Sequence, residues 1–97
     1  ITDDLVATGS SLIEAVCALK NAGAKSIRAA ITHGVLSHPA LERLEKSKEL
    51  EELIITNSIP LIEEKKNPRI RVLSVAPLLG EAIKRIDNEE SVSCLFD

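Results

Sequence analysis

The chain opens with ITDDLVATGSSL at residues 1–12, a short apolar start followed by two acids, a glycine and three hydroxyl side chains. Ile1 and Thr2 are typical of the end of a strand, and Asp3 to Ser10 is expected to form a polar turn. Apolar side chains then recur with a helical period between Ser11 and Asn21. The opening therefore predicts a strand, a turn and a helix in that order.

Strands and helices continue to alternate through the rest of the chain. Gly23 can end the first helix in a left-handed conformation, and Pro39 and Pro77 each stand where a helix can begin. One turn of helix is expected near Leu61 to Lys65. Three further strands are predicted, at Ile27–Thr32, Leu53–Thr56 and Ile70–Val75.

This alternation predicts a single α/β domain over residues 1–97, with a parallel sheet, flanking helices and right-handed crossovers. The strand at Ile27–Thr32 is an unbroken apolar run, so it is expected to be buried on both faces. Ligands of parallel sheets bind beyond the carboxyl ends of the strands. The last helix is expected to turn one apolar stripe away from water, formed by Leu78, Leu79, Ala82, Ile83 and Ile86.

The composition argues against several classes of function. A formal net charge of −3 does not suit nucleic acid, whose phosphates require a basic protein surface. Phe96 is the single aromatic residue, so the chain has no platform for stacking bases. No apolar run is long enough for a membrane helix, and two cysteines are too few for a disulfide framework. A cytoplasmic protein is expected, with Cys17 as a reduced, buried thiol.

The turn after the first strand offers both hydrogen-bond donors and acceptors to one ligand. Backbone N–H groups from Ala7 to Ser11 lie at a helix N-terminus, where aligned donors and a positive dipole end suit a phosphate. Three hydroxyl side chains add donors, and Gly9 lets the backbone approach closely. Asp3 and Asp4 only accept hydrogen bonds when ionised, so they suit neighbouring hydroxyls on a sugar. The turn is therefore a candidate site for a sugar phosphate.

The same residues also have a simpler interpretation. Ser10 or Ser11 could cap the helix, and Glu14 could complete a capping box with Ser11. A capped strand-to-helix turn is the commoner explanation for two adjacent serines. The pair of acids and the glycine favour the ligand site, because a helix cap needs neither of them.

The pattern Asp-Asp-x-x-x-Thr-Gly-x-Ser resembles the phosphoribosyl-binding loop shared by phosphoribosyltransferases and PRPP synthetases. The resemblance implies that Asp3 and Asp4 bind ribose hydroxyls and that the residues after them bind the 5′-phosphate. Ser11 stands where the family usually has threonine, so the hydroxyl is retained. The implied phosphate-binding residues are Ala7, Thr8, Gly9, Ser10 and Ser11.

The rest of the chain resembles PRPP synthetases, which are ribose-phosphate pyrophosphokinases, more than it resembles the transferases. The segments that carry this resemblance are THGVLSHPA at 32–40, ITNSIP at 55–60, RVLSVAPLL at 71–79 and NEESVSCLF at 88–96. They imply a phosphoribosyltransferase-like fold of type I. They also place the chain in the C-terminal portion of such an enzyme, as a fold truncated at its N-terminus.

The last of these segments is a second candidate site. Ser91 and Ser93 offer donors together with the backbone at Val92, and Phe96 offers a ring. From the residues alone, a frayed terminus held by packing of Leu95 and Phe96 is the simpler explanation. The resemblance implies a regulatory site for phosphate or a nucleotide such as ADP at a subunit contact, and therefore a homo-oligomer.

His33 ends a predicted strand, where it could touch a ligand, but a structural histidine bonded to loop carbonyls is favoured. No group of His, Cys or Asp residues has the spacing of a metal site. Mg²⁺ is therefore implied only by the resemblance, with no ligand set in this chain.

The implied activity is that of a transferase in nucleotide biosynthesis, which moves the β,γ-diphosphate of ATP to ribose 5-phosphate and yields PRPP and AMP. Such chemistry depends on positioning and on cationic groups, and no Lys or Arg lies between Asp3 and Leu19. The chain has no methionine and starts in a predicted strand, so a fragment that is catalytic only within its parent is expected. The alternatives are a non-catalytic module that binds a sugar phosphate or associates with a synthetase, and a piece of a phosphoribosyltransferase, which the C-terminal half disfavours.

Overall fold

Strands and helices alternate along residues 1–96, the part of the chain that the computed structural model describes. The strands are β1 (Thr2–Val6), β2 (Ile27–Gly34), β3 (Leu50–Thr56) and β4 (Ile70–Leu73). The helices are α1 (Ser10–Asn21), α2 (His38–Lys46) and α3 (Ala76–Asp87), with short 3-10 helices at Glu63–Lys65 and Ser93–Phe96. The predicted order of elements is confirmed, including the turn of helix near residue 63.

The sheet is parallel throughout and runs in the order β1-β2-β3-β4, as an α/β fold requires. In β1, Asp3 pairs with Ile31 of β2 and Val6 pairs with Gly34. The predicted polar turn from Asp3 is therefore wrong over its first four residues. Pairing with β2 keeps them extended, so the turn begins only after Val6.

Helices α1 and α2 cover one face of this sheet. Val16 of α1 and Leu44 of α2 join a single buried cluster with alternate residues of the strands. The expectation that β2 is buried on both faces is wrong, because its side chains alternate between buried and exposed and α3 buries no residue. The cluster includes Ile27, Ala29 and Ile31 from β2 and Leu53 and Ile55 from β3.

Helix α1 ends as predicted but presents a different side chain to the core. Gly23 has a φ of 95°, and the N–H groups of Gly23 and Ala24 donate to the carbonyls of Lys20 and Leu19 at 3.0 Å, which is a Schellman ending. The buried position expected for Cys17 is wrong: Cys17 is exposed. Its neighbour Val16 is the buried residue of this helix, and the partly buried Leu12 packs against the same core.

Helix α3 begins where predicted, with a proline in its first turn, but its apolar stripe faces water. Ile83 and Ile86 are 68% and 67% exposed. The extents of 49 × 31 × 19 Å and the radius of gyration of 15.9 Å are large, since a compact chain of this length has about 12.5 Å. The expected burial of the stripe is therefore wrong, because α3 extends the molecule instead of packing on the sheet. No helix within residues 1–96 is long and apolar enough to cross a membrane.

Candidate phosphate-binding site

A cleft of about 250 Å³ lies along β1 and beside the start of α1. Asp3 lines it, together with apolar side chains such as Leu5 and Leu12. The cleft also contains every residue that was expected to bind phosphate, namely Ala7, Thr8, Gly9, Ser10 and Ser11. One surface therefore brings together an acid from the strand and the donors of the turn.

The two neighbouring acids do not share this surface. Asp3 and Asp4 are consecutive residues of β1, and successive side chains of a strand point to opposite faces. Asp3 lines the cleft and Asp4 does not. The Asp3 carboxylate also accepts a hydrogen bond from the Asp4 N–H at 2.8 Å. Asp3 is therefore the acid that lies beside the turn.

Gly9 sets the shape of the phosphate loop, as we name residues 7–11. Its φ of 79° is left-handed, and a Cβ on it would lie 3.4 Å from the Cα of Ala40 in α2. Gly9 occupies the cap position of α1, which has no side-chain cap. The capping interpretation of Ser10 and Ser11 is therefore wrong, because Ser10 is already the first helical residue.

The N–H groups at the start of α1 are available to a ligand. The first hydrogen bond of the helix ladder runs from the Ile13 N–H to the Gly9 carbonyl at 3.0 Å, so the N–H groups of Ser11 and Leu12 precede the ladder. The Ser10 N–H makes a long contact of 3.5 Å with Thr8 Oγ1, whose distance to Ser10 Oγ is 3.2 Å. Donors and the positive end of the helix dipole therefore meet in the cleft.

The carbonyl groups before this point are held by the segment between β2 and α2. The Val6 carbonyl accepts from the N–H groups of Val35 and Leu36 at 3.0 and 3.2 Å. The Ala7 carbonyl accepts from both the N–H and the hydroxyl of Ser37, each at 2.9 Å. None of these donors lines the cleft. The loop is therefore braced from outside the cleft.

Arg43 of α2 extends this bracing by one residue. Its Nη1 donates to the Thr8 carbonyl at 2.6 Å. Sequence reasoning missed both Arg43 and Ser37 as parts of the site. Their partners lie 35 and 30 positions away along the chain, so no local pattern of residues predicts either contact.

His33 has a different partner from the one expected. Its Nδ1 lies 2.7 Å from Ser58 Oγ, and that hydroxyl is placed to donate to the Thr32 carbonyl at 3.3 Å. Thr56 Oγ1 donates to the same carbonyl at 2.7 Å. The expected bond to a loop carbonyl is therefore wrong, since a hydroxyl stands between the imidazole and the carbonyl. His33 does not line the cleft.

The second candidate site is held together by Arg85 of α3. Its Nη1 donates to the Ser91 carbonyl at 3.2 Å and to Cys94 Sγ at 2.6 Å, while Ser91 Oγ lies 2.9 Å from Ser93 Oγ. Hydrogen bonding to Glu81 raises the pKa of Arg85 above its ordinary value. Phe96 is 70% exposed, so packing of this ring does not hold the tail.

The cleft does not contain a complete metal site. Mg²⁺ is usually held by one or two carboxylates together with waters and substrate phosphates. Asp3 is the single carboxylate in the cleft lining, and no three His, Cys, Asp or Glu side chains within residues 1–96 come together as a metal site. These residues therefore do not by themselves fit a protein-held Mg²⁺.

Comparisons with known proteins identify the family. The family model described as the phosphoribosyl synthetase-associated domain matches residues 1–97. The ribose-phosphate pyrophosphokinase of Hyphomonas neptunium is 55% identical over 96 residues, which are 98% of this chain and 30% of that protein. The enzyme of the same name from Oceanobacillus iheyensis is 50% identical over 97 residues, again 30% of its length.

A solved structure agrees with this result. The crystal structure of phosphoribosylpyrophosphate synthetase from Mycobacterium smegmatis matches with a TM-score of 0.84 and 43% identity, over 91% of this chain and 29% of that one. The predicted α/β fold class is thereby confirmed. The chain spans about 30% of the length of the relatives it matches. It belongs to the phosphoribosyl synthetase-associated domain family.

Proposed function

We propose that this chain supplies the ribose 5-phosphate-binding loop of a ribose-phosphate pyrophosphokinase. The observation that carries the proposal is the cleft, in which the residues of the phosphate loop and Asp3 line one surface. A phosphate needs donors, and a sugar hydroxyl can donate to a carboxylate. Ribose 5-phosphate contains both groups.

In this proposal the phosphate loop binds the 5′-phosphate through backbone N–H groups and the hydroxyls of Thr8, Ser10 and Ser11. Asp3 and Asp4 bind the ribose hydroxyls, as the resemblance implies. Asp3 makes the closer contact of the two, because it lines the cleft and Asp4 does not. Hydrogen bonds to charged groups contribute about 1.5–3 kcal/mol each, which is enough to orient the sugar.

The proposed parent enzyme transfers the β,γ-diphosphate of ATP to the anomeric hydroxyl of ribose 5-phosphate. Mg²⁺, which the resemblance implies for this reaction, would neutralise charge on the transferring group. No Lys or Arg lines the cleft. The cationic groups of the transfer step therefore come from outside this cleft, and the chain positions the acceptor.

The isolated chain is accordingly expected to be inactive. A coupled assay that detects AMP from ATP and ribose 5-phosphate should give no signal above background, and addition of a full-length relative should restore it as a positive control. AMP formation that scales with the purified chain would contradict the proposal that this chain only positions the acceptor.

The position of the chain in its parent is a further part of the proposal. We place it in the C-terminal portion, because its last residues resemble the ending of PRPP synthetases. Sequencing the encoding locus tests this: the reading frame should continue upstream of Ile1 through the rest of a synthetase. A frame that continues downstream of Asp97 instead would contradict the placement. A short frame with neither extension would favour the alternative, a non-catalytic sugar-phosphate-binding or synthetase-associated module.

The tail at Ser91, Val92, Ser93 and Phe96 is proposed as a regulatory segment for phosphate or ADP in a homo-oligomeric parent. The geometry that supports it is the Arg85 guanidinium beside exposed serine hydroxyls. The cytoplasm is the compartment we propose for the parent, since both cysteines are free thiols. ADP inhibition that persists unchanged in a Ser91→Ala/Ser93→Ala parent would remove the tail from the regulatory site.

Titration calorimetry tests the proposed ligand most simply. Ribose 5-phosphate should bind the chain more tightly than inorganic phosphate, and ribose alone should bind far more weakly than either. Inorganic phosphate should compete with ribose 5-phosphate, because both need the phosphate loop. Binding of ribose as tight as that of ribose 5-phosphate would contradict the proposal.

A further inference from the structure

We infer that Arg43 is a positioning residue for phosphate binding, which acts on the ligand through the Thr8–Gly9 peptide without touching it. The inference rests on the proposed function of the phosphate loop. Arg43 lies in α2 and outside the cleft lining, and its Nη1 donates to the Thr8 carbonyl at 2.6 Å. Its effect is on the direction and the strength of the Gly9 N–H donor.

Peptide geometry gives the first reason. A trans peptide is planar, so its C=O and N–H bonds point in opposite directions. The Thr8 carbonyl is held toward α2 by Arg43, and the Gly9 N–H of the same peptide must therefore point away from α2. The cleft, which Gly9 lines and Arg43 does not, is on that side.

The neighbouring peptide is held in the same way. The Ala7 carbonyl accepts two hydrogen bonds from Ser37, so the Thr8 N–H of that peptide is also directed. Gly9 has a left-handed φ of 79°. It needs the additional support because glycine has wide conformational freedom. Arg43 restricts that freedom at Gly9, the residue directly before α1.

Charge gives the second reason. A hydrogen bond from a charged donor is stronger than one between neutral groups, and hydrogen bonds in a chain polarise one another. A guanidinium on the Thr8 carbonyl therefore makes the Gly9 N–H a better donor to an anion. No carboxylate within residues 1–96 lies within 4.0 Å of the Arg43 guanidinium as an ion pair, so its charge is not neutralised there.

Arg69 provides a matched control from the same part of the molecule. Its Nη1 donates to the carbonyls of Ser47 and Leu50 at 2.8 and 3.0 Å, and its Nη2 donates to the Leu44 carbonyl. It therefore binds main-chain carbonyls as Arg43 does, but at the C-terminal end of α2. Loss of Arg69 should reduce stability without weakening phosphate binding in the folded protein.

The experiment compares Arg43→Met, Arg43→Lys and Arg69→Met with the wild-type chain, using inorganic phosphate and ribose 5-phosphate as probes. Arg43→Met should weaken both probes by about tenfold and by the same factor, because both use the phosphate loop. Arg43→Lys keeps the charge and a donor and should recover at least half of the lost binding free energy. Arg69→Met should lower Tm more than Arg43→Met does and leave both affinities within about twofold.

A second readout needs no ligand. Backbone ¹⁵N relaxation should show increased motion at Gly9 and Ser10 in Arg43→Met and unchanged motion there in Arg69→Met. Affinities of Arg43→Met within threefold of wild type, or a loss that Arg43→Lys does not recover, would overturn the inference. If the wild-type chain binds neither probe, the proposed function fails; the bracing of the loop by Arg43 is then decided by relaxation alone, and unchanged motion at Gly9 would overturn it.

Discussion

At the scale of single residues, Asp3 and Asp4 are distinguished by their position in a strand. Asp3 lies in the cleft, and its Oδ1 accepts from the Asp4 N–H at 2.8 Å. Asp3→Asn removes the charge but keeps this acceptor oxygen. It should therefore weaken ribose 5-phosphate binding by about tenfold, the equivalent of one charge-assisted hydrogen bond, and leave inorganic phosphate binding unchanged or slightly tighter.

Asp4→Asn is the companion variant in the same calorimetric titrations. Because Asp4 lies outside the cleft lining, its replacement should weaken ribose 5-phosphate less than Asp3→Asn does. Equal weakening of sugar phosphate and inorganic phosphate in Asp3→Asn would mean that the acid supports the loop's fold and does not recognise the sugar.

Thr8 is expected to bind the phosphate group of the ligand. Thr8→Val removes a hydroxyl that lies in the cleft and near Ser10, while keeping the side-chain shape. Both ribose 5-phosphate and inorganic phosphate should bind more weakly, by roughly threefold to tenfold for one lost hydrogen bond. Thr2→Val on β1, outside the cleft lining, is the control and should change neither titration. Loss of ribose 5-phosphate binding alone would assign Thr8 to the sugar.

At the scale of elements, the end of β2 is fitted tightly against β3. A Cβ on Gly34 would lie 2.8 Å from Cδ1 and 3.1 Å from Cγ2 of the buried Ile55. Gly34→Ala should therefore reduce the free energy of unfolding by about 1–3 kcal/mol through overpacking, as measured by urea denaturation.

Gly80→Ala is the matched control for this substitution. Nothing lies within 4 Å of a Cβ at Gly80, which is inside α3. Alanine there should be neutral or should stabilise the chain by up to about 1 kcal/mol, because it favours a helix. A Gly34→Ala variant as stable as Gly80→Ala would show that Ile55 can move aside at no cost.

The same elements show what sequence could and could not predict. The helix starts at Pro39 and Pro77 and the ending at Gly23 were predictable, since they depend on local backbone chemistry. The acids were assigned to a turn because polar residues rarely mark a strand, but ladder pairing with β2 extends the strand to Val6. The hydrogen bond from Arg43 joins residues 35 positions apart, so no local sequence pattern could predict it.

At the scale of the whole molecule, the main feature is apolar surface that no other part of residues 1–96 covers. Within residues 1–96 no helix covers one face of the sheet, and Leu79, Ile83 and Ile86 of α3 are more than half exposed. β1 is also an edge strand, which invites strand addition. We expect the isolated chain to self-associate as its concentration rises, because larger apolar patches mark interaction surfaces.

Light scattering over a concentration series measures this association. Ile83→Glu and Ile86→Glu should shift the series toward monomer, whereas Lys84→Glu on the charged side of α3 should not. A chain that stays monomeric at the highest concentration would contradict the expectation.

A crystal structure of the chain with ribose 5-phosphate would show directly whether the cleft beside α1 binds that sugar phosphate. We expect the phosphate to lie within about 2.7–3.2 Å of N–H groups between Thr8 and Leu12. We also expect a ribose hydroxyl within hydrogen-bond distance of the Asp3 carboxylate. A sugar phosphate bound elsewhere on the chain, with the phosphate loop empty, would contradict this expectation.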